Sequence, residues 1–85
     1  MKKRHIFKTK YKIGDKVEFI KEEWIQKDKK NFRKLQRTVF IGQIYQIKFY
    51  RTEFGKIIIY DIRYSLNNDT EVYETYEHNI IKKVG

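Results

Sequence analysis

Cations and aromatic rings are the side chains able to do chemistry in this sequence. It holds 20 Lys and Arg against 11 Asp and Glu, with one Trp, seven Tyr and six Phe. Groups for covalent catalysis are nearly missing. There is no cysteine, and the one serine, Ser65, lies among turn residues. His5 and His78 stand far apart in sequence, and four isolated glycines make no phosphate-binding loop. Asp61 and Glu74 are carboxylates that neighbouring strands would bring together, but alternating carboxylates are the usual solvated face of a sheet. The expectation is a protein without catalytic residues, cofactor or metal ligands.

The cations are placed unevenly. Residues 1–37 hold 14 Lys and Arg against 5 acidic residues, whereas residues 38–85 hold 6 of each. The whole excess of +9 therefore sits in the first half of the chain. Ala and Pro are absent while Lys, Ile and Tyr abound, a bias that AT-rich coding produces; it explains many lysines, less well their concentration. Lys27, Lys29, Lys30, Arg33, Lys34 and Arg37 crowd eleven residues with only Asp28 against them. Like charges at that density repel, and a polyanion or an acidic protein face relieves the repulsion. Rings near such cations suit stacking on unpaired bases while the cations hold phosphates. Trp24, Tyr45, Tyr64 and Tyr73 are expected to point outward, and Trp24, Tyr45 and Tyr73 join the six cations as the candidate binding set. The competing reading is that these rings fill a small core and that the cations are a solvated insertion.

The elements that must position these residues read as short strands. Eighty-five residues make one domain, with a modest core. Residues 1–12 carry six cations and no acid and read as a basic tail. Ile13-Gly14-Asp15 is a turn launching a strand in which Val17 and Phe19 alternate inward. Residues 21–37 show a thin helical face (Ile20, Trp24, Phe32, Leu35) broken at Asp28–Asn31, and read as a long basic loop. Residues 38–50 are rich in β-branched and aromatic types. Ile44 and Ile47, three apart, both face inward only if the strand is kinked, and Gly42 permits the kink. Residues 56–64 are the clearest strand, with Ile58, Tyr60 and Ile62 inward and Asp61 and Arg63 outward. Asn67-Asn68-Asp69 is turn chemistry. Val72 is expected inward and Tyr73 outward. A tight turn at 76–79 precedes a closing strand from Ile80. The expected core is Val17, Phe19, Ile44, Ile47, Ile58, Tyr60, Ile62, Val72 and Ile80.

This order of short strands and turns suggests a small five-stranded all-β barrel over residues 13–85, with a long basic loop after the first strand; an OB-like barrel is the alternative. Ile13-Gly14-Asp15-Lys16-Val17, Gly42-Gln43-Ile44-Tyr45-Gln46-Ile47, Tyr60-Asp61-Ile62 and Glu77-His78-Asn79-Ile80 give a pattern that resembles the SH3-like barrels of the Tudor and KOW type across about residues 12–84. That resemblance implies binding of nucleic acid, ribosomal components or peptides, in some members through aromatic cages. The long basic segment departs from the pattern, and no methyl-lysine cage maps onto these residues.

Two functions follow as expectations. One is a nucleic-acid-binding module for RNA or DNA. The other is a small protein-interaction domain, such as a phage or mobile element encodes as an inhibitor or adaptor of a host nucleic-acid-processing protein. No apolar run approaches the roughly 20 residues of a membrane span. The lack of cysteine suits a reducing cytoplasm, the expected location.

Overall fold

Alternation and β-branched residues govern most of the chain, and the computed structural model of the protein, which describes residues 8–26 and 33–85, is a single antiparallel sheet. Its first turn is built by Gly14. That residue takes φ +97°, and the Asp15 amide donates to the Lys12 carbonyl at 3.0 Å. The Asp15 carboxylate accepts the Lys12 amide at 2.9 Å and locks the turn. Five strands follow: β1 (Lys16–Gln26), β2 (Arg33–Thr52), β3 (Gly55–Leu66), β4 (Asp69–Tyr76) and, after a 3-10 turn at Glu77–Asn79, β5 (Ile80–Lys83). Their order in the sheet is β4-β3-β2-β1-β5, and no pairing between the two edges closes it.

The core lies on one face of this curled sheet. Val17, Phe19, Ile44, Tyr60, Ile62 and Ile80 are buried, with Ile47 and Ile58 packed against them, as alternation predicts. The kink in β2 falls at Tyr45, where the register with β3 shifts between Ile44 and Gln46, and not at Gly42. The extra residue keeps Ile44 and Ile47 on the same side. Gly42 serves close packing instead: a Cβ there would lie 2.6 Å from Ile62 Cγ2 and 2.7 Å from the Arg63 carbonyl oxygen.

Four expectations are corrected. First, residues 21–26 and 33–37 are not loop. They extend β1 and β2 into a long hairpin paired as far as Gln26 and Arg33. Cross-strand pairs such as Trp24 with Leu35 stabilise this arm, where a helical period finds too few apolar positions. Second, Tyr73 faces inward and Val72 outward. Asn67 and Asn68 both take positive φ in a two-residue turn that pairs Leu66 with Asp69. That register sets Tyr73 beside Ile62 and Val72 beside Arg63, and a one-residue difference reverses every side chain. Third, Tyr64 is buried, since it shares the parity of Tyr60 and Ile62. Fourth, Tyr11, read as part of the tail, is only 3% exposed and meets the Tyr60 ring edge-on at 6.0 Å.

Candidate nucleic-acid interface

The hairpin arm sorts the basic residues by strand parity. Residues directly opposite in an antiparallel pair share a face, and alternate pairs share it again. Arg33 opposite Gln26, Leu35 opposite Trp24 and Arg37 opposite Glu22 therefore lie on one side, the face turned away from the core. Trp24 is 67% exposed there. Arg37 pairs with Glu22 at 3.5 Å, and both Arg33 and Arg37 are exposed. Lys34, opposite Ile25, falls on the other side. Lys27, Lys29 and Lys30 lie outside the described residues, as does His5.

The two tyrosines of the candidate set separate. Tyr73 stacks on Phe19 with ring centroids 5.9 Å apart and planes 23° from parallel. Its hydroxyl accepts the Glu22 amide at 3.0 Å and lies 3.4 Å from the Glu22 carbonyl, to which it donates. Tyr73 is thus a strut from β4 across the interior to β1, its ring stacked on Phe19 on the core side of the sheet. Tyr45 sits at the bulge of β2, partly buried, with the Arg63 guanidinium 4.9 Å from its ring centroid. The set of nine residues therefore resolves into one described cluster of Trp24, Arg33 and Arg37, with Tyr45 well removed along β2, at its bulge against β3.

Ion pairing divides the remaining cations. Lys83 holds Asp15 at 3.5 Å, and the Lys12 amide, ahead of the Lys83 charge, keeps the Asp15 carboxyl below its ordinary pKa. Lys48 reaches Asp61 at 3.3 Å and Glu74 at 3.5 Å, and its bond to Asp61 raises the ammonium pKa. Asp61 and Glu74 are direct neighbours across β3 and β4. Asp61, expected outward on a solvated face, is a further correction: it is buried, 2% exposed, under the Lys48 ammonium. By contrast, no carboxylate among the described residues lies within ion-pair distance of Lys16, Arg33, Arg51, Arg63 or Lys82.

Sequence reasoning missed Lys16 and Arg63 as site residues. With Ile41, Gln43 and Ser65 they line a cleft of about 470 Å³ across β1, β2 and β3, on the Trp24 side of the sheet. The detectable signal was parity, since Lys16, Gln43 and Arg63 all alternate outward; the bulge that delivers Tyr45 to Arg63 was not readable. Among the described residues no cluster of His, Asp and Glu is arranged to hold a metal ion, and no helix is long and apolar enough to cross a membrane. Comparison with protein-family models, curated proteins and solved structures finds no match to the chain.

Proposed function

We propose that the chain is a non-enzymatic binding module that engages nucleic acid along the outer face of its β1–β2 hairpin. The observation that carries this reading is Trp24, 67% exposed and sharing its face with Arg33 and Arg37. An indole left in water among cations matches the stacking platform and phosphate contacts of a single-strand site. The meander order, the return of β5 to β1 and the bent β2 support an SH3-like barrel of the Tudor and KOW type as its frame. The excess of +9 adds long-range attraction for a polyanion.

A protein partner is the second reading, because the same face also exposes Val39 (53%) and Ile41 (51%), aliphatic groups that do not stack on bases. An acidic surface with an apolar centre would fit them.

One titration separates the two. Trp24 is the sole tryptophan, so its emission reports stacking on the hairpin directly. A fluorescein-labelled single-stranded oligonucleotide of about 12 nucleotides should quench it, with log K falling against log salt by roughly 0.7 per phosphate engaged. Arg33→Gln with Arg37→Gln should weaken binding more than Arg51→Gln with Lys82→Gln, which removes equal charge elsewhere. Lys48 and Lys83 are unsuitable controls because both hold carboxylates. Unquenched Trp24, or equal losses in the two variants, would sink the hairpin reading.

A further inference from the structure

We infer that the cleft lined by Lys16, Gln43, Arg63 and Ser65 is a nucleotide subsite: a base stacks on the Arg63 guanidinium and its phosphate is held by Lys16. This rests on the nucleic-acid reading above and assigns a second contact point to it. The cleft has about 470 Å³, within the roughly 300–1,000 Å³ usual for small-ligand sites. Its cations are available. Arg63 and Lys16 are exposed, and no carboxylate among the described residues pairs with either, whereas Lys48 and Lys83 on the same sheet are engaged.

The Arg63 side chain already has a ring partner. Its guanidinium lies 4.9 Å from the Tyr45 ring centroid, an arrangement the bulge of β2 produces by turning Tyr45 toward β3. A planar, weakly hydrated cation backed by a ring offers its second face to another π-system, and little side-chain freedom is lost when a base settles on it. Lys16 supplies a compact charge, better suited to phosphate than to stacking. Gln43 donates one amide hydrogen to the Gly14 carbonyl at 3.1 Å, which orients the group and leaves its other hydrogen for a base edge. The Ser65 hydroxyl adds a donor and an acceptor.

The location argues against a peptide. The cleft lies over β2, which is hydrogen-bonded to β1 on one side and β3 on the other, so no strand edge is open for an extended peptide to join. It also lies on the Trp24 face. Lys16 and Trp24 are eight residues apart on β1, roughly 26 Å at about 3.3 Å per residue, a span suited to the roughly 4–16 nucleotides of a small single-strand module.

The test is anisotropy of the same labelled oligonucleotide of about 12 nucleotides with wild type, Arg63→Gln, Tyr45→Leu, Lys16→Gln and, as a charge control, Lys82→Gln. Arg63→Gln should raise Kd about tenfold and Tyr45→Leu, which changes no charge, by a similar factor. Lys16→Gln should lower the salt slope by roughly 0.7. Lys82→Gln should change Kd by less than about threefold. If Tyr45→Leu lowers the melting temperature, Arg63→Gln decides, since that side chain is exposed. Inorganic polyphosphate and an oligoglutamate peptide are the competing probes. If either binds with the same dependence on Tyr45 and Arg63 as the oligonucleotide, the site reads charge and the stacking assignment is overturned. If the oligonucleotide quenches Trp24 while Arg63→Gln and Tyr45→Leu bind as wild type, the cleft fails and the hairpin reading stands. If wild type binds no oligonucleotide, both fail.

Discussion

Asp61 is a costly residue to place. Its side chain is 2% exposed, and its Oδ1 makes no hydrogen bond. A carboxylate taken out of water is tolerated only with compensation, and the Lys48 ammonium at 3.3 Å supplies it. Glu74, 3.5 Å from the same ammonium and far more exposed, adds a second and weaker contact. Removing the cation alone should therefore do more harm than removing the pair. Lys48→Met should lower the melting temperature clearly. Lys48→Met with Asp61→Leu should recover much of the loss, because two apolar groups of similar size leave no uncompensated charge. A double variant no more stable than Lys48→Met alone would show that Asp61 has other support. The alternation of β3 puts Asp61 on the side opposite Tyr60 and Ile62 but suggests a solvated carboxylate, which it is not. Its burial depends on Lys48 and Glu74 arriving from two other strands, which no local pattern in the sequence announces.

At the scale of elements, the short stretch before β1 belongs to the core as well as to the tail. Tyr11 packs edge-on against Tyr60, whose hydroxyl donates to Glu77 at 3.3 Å and whose pKa is raised chiefly by burial. Tyr11→Ala should destabilise the protein by about 3–5 kcal/mol, as deletion of a buried ring does, and chemical denaturation would measure it. A loss below about 1 kcal/mol would mean that Tyr11 only covers one end of the core. Composition hid this residue, because five cations within residues 1–10 and Lys12 after it suggest a solvated arm. Strand existence and most inward residues of β1, β2 and β3 were legible because alternation is a local property, Tyr64 being the exception. The side that β4 presents was not, since it is set by the two positive-φ asparagines and by pairing with β3. The hairpin arm was obscured for a similar reason: its residues alternate weakly and are held by partners across the strand. Of the candidate site, Trp24, Arg33 and Arg37 were named from charge and rings, but the face they share comes from the hairpin register, which the loop reading missed. The Arg63–Tyr45 contact depends on a bulge, and a bulge is a property of two paired strands.

For the whole molecule, charge sets how stability responds to pH. Protonating carboxylates raises a net charge that is already +9, and self-repulsion grows. The Asp15 group contributes a local response, since it joins the first turn to β5 through Lys12 and Lys83. Its pKa is depressed in the folded state, first by the Lys12 amide and then by the Lys83 charge, so the unfolded chain binds the proton more readily. The stabilisation is therefore fully present above the unfolded value of about 3.9 and is lost as pH falls through the lower folded value. The melting temperature should hold steady from neutral pH to about pH 5 and fall as pH drops below about 4. Asp15→Asn keeps an acceptor for the Lys12 amide but has no charge for Lys83 and no proton to gain. It should melt lower than wild type at neutral pH and fall less steeply between about pH 5 and pH 3. Calorimetric melts of both proteins across that range would check it. Parallel curves would place the acid sensitivity in carboxylates other than Asp15.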